Sequence, residues 1–499
     1  MKICTFNTYI LLFLTLGLTG CKGFLDESDL SNFTQDNYFT KPEHAESVVN
    51  AIYEDLRPTT SGFNFGGSPF LMLEFPTGLA GTEVGQNVDN NFLRTLTNNS
   101  DNLYGEIWWV NSYRGIGNAN LAIARIPNIP MNAVRKQELL AEAHFLRAFY
   151  YYQLLRLFGD IPLIKEPIDA GSANLYPQRN TVEEVYNSIV EDLKFAESAP
   201  LPFQSTSGRA TVGAAKSLLA SCYLTMAGYP LNKGLPYFSL AAEKAKEVIS
   251  SGKYRLFDTY DELRDLKNKN LGEHIFMTQY EAGIINNSIQ DLFLPNNRNI
   301  STYSTESGAI FALKEFIETY AKQDRRIQEQ QYYYTRYTSQ EDRSVVLNLN
   351  NSYIFKYFDT EAHLKTAISG MNWPLLRYAE VLLIFAEAQN EVSGPGNDIY
   401  QALNMIRKRA NLPEIQTGSQ ADLRKLIWQE RYHELAFENK TWFDMVRTRK
   451  VYNLTTKEFD NFVGHKFTYG PILKERDLLF PIPTREITNN KKLSQNPGY

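Results

Sequence analysis

Apolar residues recur at helical spacing in run after run of this chain, and each run closes on a helix-stop signal before the next opens. Pro42 opens the first such pattern, which continues through Val48, Val49, Ile52 and Leu56. Trp109, Tyr113, Ile116 and Asn120 share one face of a second, and a third runs from about Asn132 to Phe158. That run stops at Gly159-Asp160-Ile161-Pro162, where glycine relaxes the backbone and proline removes a donor. Thr181-Val182-Glu183-Glu184 has the form of a capping box and starts a helix toward Ala199. Thr211 caps another, through Ala214, Ala215, Leu218, Leu219 and Tyr223, with Ala241 to Ile249 as its partner. Further helices are expected from Trp373-Pro374 to Asn390, from Asp398 to Ala410 and from Ala421 to Phe437.

The pattern predicts a mainly α fold. Helices paired through small residues look like a tetratricopeptide-type array, although their connections are too long and irregular for the strict repeat. Two stretches break the pattern. Pro58 to Asn102 is rich in Gly, Asn and Thr, and Asn268 to Ser369 mixes polar loops with short strand-like pieces. Long loops of this kind in a compact domain are usually functional or disordered. The last stretch, Asp477 to Tyr499, reads as extended and punctuated by proline.

The first residues set the location. An uncharged apolar run from Tyr9 to Leu18 follows Lys2 and ends in Leu18-Thr19-Gly20-Cys21. It has roughly half of the ~20 residues needed to cross a bilayer, so it reads as a signal peptide rather than a span. Cys4 leaves with that leader, and Leu18-Thr19-Gly20-Cys21 resembles a lipobox, whose acylated cysteine would leave Cys222 as the only free thiol, so no intramolecular disulfide is expected. Cys222 lies in an apolar helical pattern and reads as a core residue. The formal net charge of -5 argues against nucleic acid as a partner. Aromatic residues make up 13% of the chain, and those placed in polar loops suggest a surface that stacks on a ligand.

Leu18-Thr19-Gly20-Cys21 resembles the lipobox of bacterial lipoproteins, in which the cysteine is acylated. Four further pieces resemble the SusD/RagB family of surface glycan-binding lipoproteins. They are the run from Trp109 to Asn120; Glu142 to Leu163, containing Arg147 and Gly159-Asp160-Ile161-Pro162; Leu376 to Ala388; and Gln429-Glu430-Arg431 with Glu434 to Glu438. The chain then continues to Leu479-Phe480-Pro481-Ile482-Pro483 and Gln495-Asn496-Pro497-Gly498-Tyr499, as in that family. The resemblance implies a SusD-like fold that captures oligosaccharides at the cell surface. It also implies delivery to a SusC-like TonB-dependent outer-membrane transporter, on which the protein sits as a lid. On this reading residues 1–20 are the leader and 21–40 a lipidated spacer. Residues 41–267 and 268–499 form two regions of one integrated domain.

The shared charged motifs read physically as scaffold. Arg377 and Glu380 stand at i, i+3 and are expected to pair, and Glu430, Arg431, Glu434 and Glu438 are placed for ion pairs between helices. Enzyme signals are poor. His433-Glu434 lacks the second His of a zinc motif, and Gly208 to Gly213 is followed by Ala214 and Ala215 where a phosphate-binding loop needs Lys and Ser or Thr. No catalytic residue, metal ligand or cofactor is therefore assigned, and a structural calcium ion is left open. A peptide or other nutrient as cargo is the alternative, with a hydrolase ranking below it.

Sugar recognition needs exposed aromatic faces beside amide, carboxylate or guanidinium partners for the hydroxyls. Two stretches qualify. The first, Phe63 to Asn111, offers Phe65, Asn91, Arg94, Trp108 and Asn111, with Trp108 expected to face outward because it lies off the apolar stripe of Trp109. The second, Asn286 to Tyr303, offers Asn296, Arg298 and Tyr303. Tyr332-Tyr333-Tyr334 with Tyr337 is a third candidate, though its alternation equally suits an ordinary strand, and Trp373 reads as a packing residue at a helix start.

Overall fold

The computed structural model describes residues 38–62, 66–85, 87–169, 171–172 and 175–499; the leader, Cys21 and Phe65 lie outside them. Seven helices form the first half: α1 (Pro42–Glu54), α2 (Val88–Arg94), α3 (Leu103–Arg125), α4 (Ala133–Phe158), α5 (Val182–Ser198), α6 (Val212–Ala227) and α7 (Leu235–Ser250). The expected signals set their ends. The Asn132 side chain accepts from the N–H groups of Val134 and Arg135 to start α4, and Gly159, at φ 72°, ends it. Thr181 and Glu184 make the reciprocal capping box of α5, and Thr211 caps α6.

From α3 onward each helix packs on the one before, and α1 lies against α3. Ala214, Ala215 and Ala220 of α6 and Ala241, Ala242 and Ala245 of α7 are all buried, as expected for helices that approach through small residues. The series continues into the second half, where α8 (Tyr378–Ser393) packs on α7 and is itself covered by α9 (Asn397–Arg409) and α10 (Gln420–Glu434). A short helix, α11 (Thr441–Thr448), follows.

Strands are few. A four-stranded sheet has the order β1 (Ala80–Gly81), β3 (Phe311–Ala312), β5 (Val346–Ile354), β4 (Tyr333–Thr338). β2 (His274–Thr278) pairs antiparallel with β6 (Trp373–Arg377), and β7 (Lys450–Tyr452) with β8 (Phe459–Asn461). Two expectations are corrected here. Trp373-Pro374 opens a strand, with Pro374 opposite Met277 in a two-stranded sheet, and the helix begins only at Tyr378. The tyrosines Tyr332, Tyr333, Tyr334 and Tyr337 are buried core residues and offer no binding surface, because β4 and its flanks pack on Tyr353, Phe355 and Phe358.

The expected Arg377–Glu380 pair is also absent. Arg377 ends a strand, so helical i, i+3 geometry does not apply to it, and Glu380 pairs instead with Lys440 at 2.8 Å. Arg377 sits at the centre of a buried ion network. It donates through Nε to Glu438 (2.9 Å), through Nη1 to Glu434 (3.1 Å), and to Glu273. Arg409 spans Glu273 (2.5 Å) and Glu434 (2.7 Å), Arg326 spans Asp324 (2.8 Å) and Glu430 (2.6 Å), and Lys356 pairs with Glu438. Burial pushes the Glu434 and Glu438 carboxyls up, but the surrounding cations outweigh it and hold both at about 2. Glu74, close by, has no ion-pair partner among the described residues. Its Oε1 accepts from Asn439 N–H at 2.6 Å, and burial lifts its carboxyl to about 8, so it stands protonated at neutral pH.

Opposite pH dependences follow for these acids. Glu434 and Glu438 ionise more readily folded than unfolded, so their stabilisation is present above about pH 4.5 and is lost as pH falls from there toward 2. Glu434→Gln removes the charge shared by three buried guanidinium groups, those of Arg377, Arg409 and Arg326, and is expected to cost about 3–5 kcal/mol in urea unfolding at pH 7. Glu74 must take up a proton on folding between about pH 4.5 and 8, so it lowers stability as pH rises through that interval. Glu74→Gln is therefore expected to gain on the wild type by about 1.4 kcal/mol per pH unit between pH 5 and 8. Thermal melts of both proteins at three pH values check this.

Candidate functional site

The β1–β3 pair brings two loops from opposite halves of the chain onto one face. Gly81 stands opposite Phe311, and beyond it Glu83 N–H donates to Gly308 O at 2.8 Å. The Glu83 carboxylate is half-buried between the loops. It accepts from Asn296 N–H (2.9 Å), from Asn351 Nδ2 (3.1 Å) and from the Tyr353 hydroxyl. Gly308, at φ +64°, makes room for it, since a Cβ there would lie 2.4 Å from Glu83 Oε2. Burial beside Glu83 raises the Tyr353 phenol, which keeps it a neutral donor.

A second carboxylate shapes the loop after Asn296. Glu306 accepts from the N–H groups of Arg298 (2.5 Å), Ile300 (2.5 Å) and Ser301 (2.7 Å). Closing the backbone around one carboxylate puts Asn297 and Asn299 at φ 49° and 52°, a region that asparagine tolerates better than most residues. Ser301 Oγ donates to His363 O (2.6 Å) and accepts from the N–H groups of Tyr303 (3.1 Å) and Ser304 (2.9 Å). Beneath the loop, burial pulls the His363 imidazole down to about 3 and lifts the Asp291 carboxyl to about 6. Tyr303 is left 54% exposed, and its side chain makes no hydrogen bond or ring contact with any other described residue. Asn297, Arg298 and Asn299 are exposed beside it, and Gln340 N–H donates to Asn299 O (2.9 Å), which brings the β4–β5 turn to the edge of the same face.

Asn296, Arg298 and Tyr303 therefore gather where the sequence placed a ligand. Asn91 joins them through its side chain, which donates to Gly85 O at 2.8 Å in the neighbouring loop. Arg94, one turn further along α2, lies 5.5 Å from the centroid of the Tyr469 ring instead. Trp108 and Asn111 are corrections. Trp108 is 7% exposed and its indole donates to Pro69 O (3.0 Å), while Asn111 is buried and donates to Ile107 O (2.8 Å) within its own helix. α3 packs on α1, α4 and the turn Pro69–Leu73, and its exposed stripe runs through Leu103, Val110, Arg114 and Gly117 rather than through Trp108 and Asn111. Sequence reasoning missed Glu83, Glu306, Asn351 and Tyr353. No local pattern marks Glu83, whose partners are more than 200 residues away.

The face offers a ring, amides and a guanidinium to solvent, and spends its carboxylates inward. That suits binding of a hydroxyl-rich ligand and supplies no activated nucleophile. Cys222 is fully buried and its thiol is raised by burial. Among the described residues no group of three or more His, Cys, Asp or Glu is placed to hold a metal ion.

Comparison with known proteins agrees across the whole length. The profile of the SusD family matches residues 285–499, and a profile described as starch-binding associating with outer membrane matches residues 24–224. SusD-like protein P2 of Formosa agariphila is 30% identical over 99% of each chain. A SusD superfamily protein from Parabacteroides distasonis superposes with a TM-score of 0.89 at 36% identity, covering 94% of this chain and 100% of its own. A laminarin-binding SusD-like protein superposes at 0.74 with 24% identity, covering 92% and 100%.

If Glu83 is what joins the loops, Gly308→Ala and Glu83→Ala should each cost about 1–3 kcal/mol. Both should also speed amide hydrogen exchange across residues 296–308, while exchange in α4 stays as in the wild type. Unchanged exchange in that loop would show that Glu83 does not organise it.

Proposed function

This chain belongs to the SusD family, and from that premise we propose that it is a glycan-binding lipoprotein of the outer membrane that captures oligosaccharides and catalyses nothing. In this reading residues 1–20 are removed as a leader and the Cys21 thiol carries the lipid. Residues 21–40 act as the spacer, and the regions 41–267 and 268–499 work as one domain. A SusC-like TonB-dependent transporter receives the glycan, with this protein as its lid. The second family profile, described by outer-membrane association and starch binding, supports the location and the ligand class. So does the fold shared with a laminarin-binding protein.

One observation carries the choice of site. Tyr303 is held out from a loop that two carboxylates and a serine fix in place, with no partner of its own, and exposed amides stand around it. An aromatic ring on a rigid loop packs against the C–H face of a sugar at little entropic cost, and the amides then replace the water lost from its hydroxyls. Asn296, Arg298 and Asn91 complete the face. Phe65 falls outside the described residues and stays in the proposal on its sequence position.

Affinity gels and calorimetry with a panel of neutral polysaccharides test the reading. Tyr303→Ala is expected to weaken binding about tenfold, since one aromatic contact is worth on the order of 1 kcal/mol. Binding of no polysaccharide, or full affinity in Tyr303→Ala, would overturn it, and retention of peptides alone would move the cargo to another class.

A further inference from the structure

A cleft of about 830 Å³ opens where the C-terminal end of α4, the start of α5, the α6–α7 turn, α11 and residues 494–498 converge, and it shares no lining residue with the loop face. Its volume falls within the ~300–1,000 Å³ of small-ligand sites. Guanidinium groups dominate its walls, and most are already committed. Arg447 holds Glu387 through both terminal nitrogens (2.6 and 2.7 Å). Arg179 donates to Asp160 O (2.7 Å), Ser494 O (2.8 Å) and Asn496 Oδ1 (2.6 Å). Arg156 is sandwiched 3.6 Å from the ring centroids of both Tyr152 and Phe443.

Arg449 differs. Its side chain makes no hydrogen bond or ion pair with any described residue and its Nη1 is packed against protein, while the Glu475 carboxylate, which lines the same cleft, acts on it through space without touching it. The guanidinium lies 4.8 Å from the centroid of the Tyr229 ring, which is 42% exposed and whose backbone N–H donates to Arg447 O (2.9 Å). Arg449 also takes a left-handed conformation, φ 56°, just past the end of α11, which is unfavourable for a residue with a Cβ. A half-buried guanidinium without an acceptor is costly, and an anionic oxygen on the nitrogens that Arg449 still turns to the cleft would offset that cost. Pro230, Leu478 and Leu479 supply apolar wall beside Tyr229, which suits the C–H face of a sugar ring.

We propose that this cleft is a second ligand site, which takes a short acidic saccharide with its carboxylate or sulfate on Arg449 and a ring beside Tyr229. The arrangement is independent of the loop face, so either site can fail without the other. Calorimetry of the purified protein uses a galacturonate oligomer and a sulfated galactose oligomer, with a neutral oligosaccharide of the same length and an oligoglutamate as controls. At least one acidic saccharide is expected to bind, and whichever does identifies the acid. Arg449→Met should weaken that binding at least tenfold, whereas Tyr303→Ala should leave it unchanged. Because Arg449 makes no hydrogen bond or ion pair with any described residue and its burial is costly, the Met variant should melt no lower than the wild type. Failure of both acidic saccharides to bind, equal binding of the neutral oligomer or of oligoglutamate, or full affinity in Arg449→Met would overturn the proposal. Loss of acidic binding in Tyr303→Ala would place the ligand on the loop face and overturn it as well.

Discussion

Glu434 accepts from Arg377 and Arg409 where its side chain is fully buried, and much of the second half is arranged around that fact. Removing a carboxylate from water costs several kcal/mol, so each one must meet a cation in good geometry. The elements that supply those cations are brought together as a result: Arg377 at the end of β6, Arg409 at the end of α9, Arg326 in the turn before β4, and Lys356 just after β5. β5 then carries the fixed geometry outward. Its Asn351 and Tyr353 hold Glu83, and Glu83 holds the loop at Asn296. The loop face hangs from the end of the strand that runs directly into the ion network, with Lys356 three residues beyond Tyr353.

The helices were largely legible because their signals are local. Asn132, Thr181 and Thr211 stand within a few residues of the backbone donors they satisfy, and Gly159 takes the positive φ that ends α4. The scaffold role of Glu430, Glu434 and Glu438 was legible too, but their partners were not. Arg377 was read onto a helix that begins only at Tyr378, five residues later than expected, and the error moved its guanidinium from Glu434 and Glu438 to Glu380. Trp108 failed for a related reason. Amphipathic spacing marks one buried stripe, whereas α3 is enclosed on several sides by elements that spacing cannot reveal.

The ligand face was half legible. Exposed Tyr303 with Asn296 and Arg298 could be picked out by composition, because Asn-rich loops are suited to the left-handed turns found there. What fixes the loop could not. Glu83 and Gly308 are meaningful only as a pair, a carboxylate and the missing Cβ that admits it, and 225 residues separate them in the chain. A sequence read one window at a time shows both residues and gives no reason to join them.

The two arginines that face ligand space show why residue type alone does not assign a site. Arg298 is exposed, so water and salt screen its charge and it gains little from meeting an anion. Arg449 is half-buried and has no hydrogen-bond acceptor among the described residues, so an uncharged ligand beside it would take water from its open nitrogens and give no anion in return. Discrimination comes from the penalty on the wrong ligand as much as from contacts with the right one. The open loop face therefore favours neutral hydroxyl-rich chains, whose polar groups it can match one by one, while the cleft penalises a ligand that arrives without a negative charge.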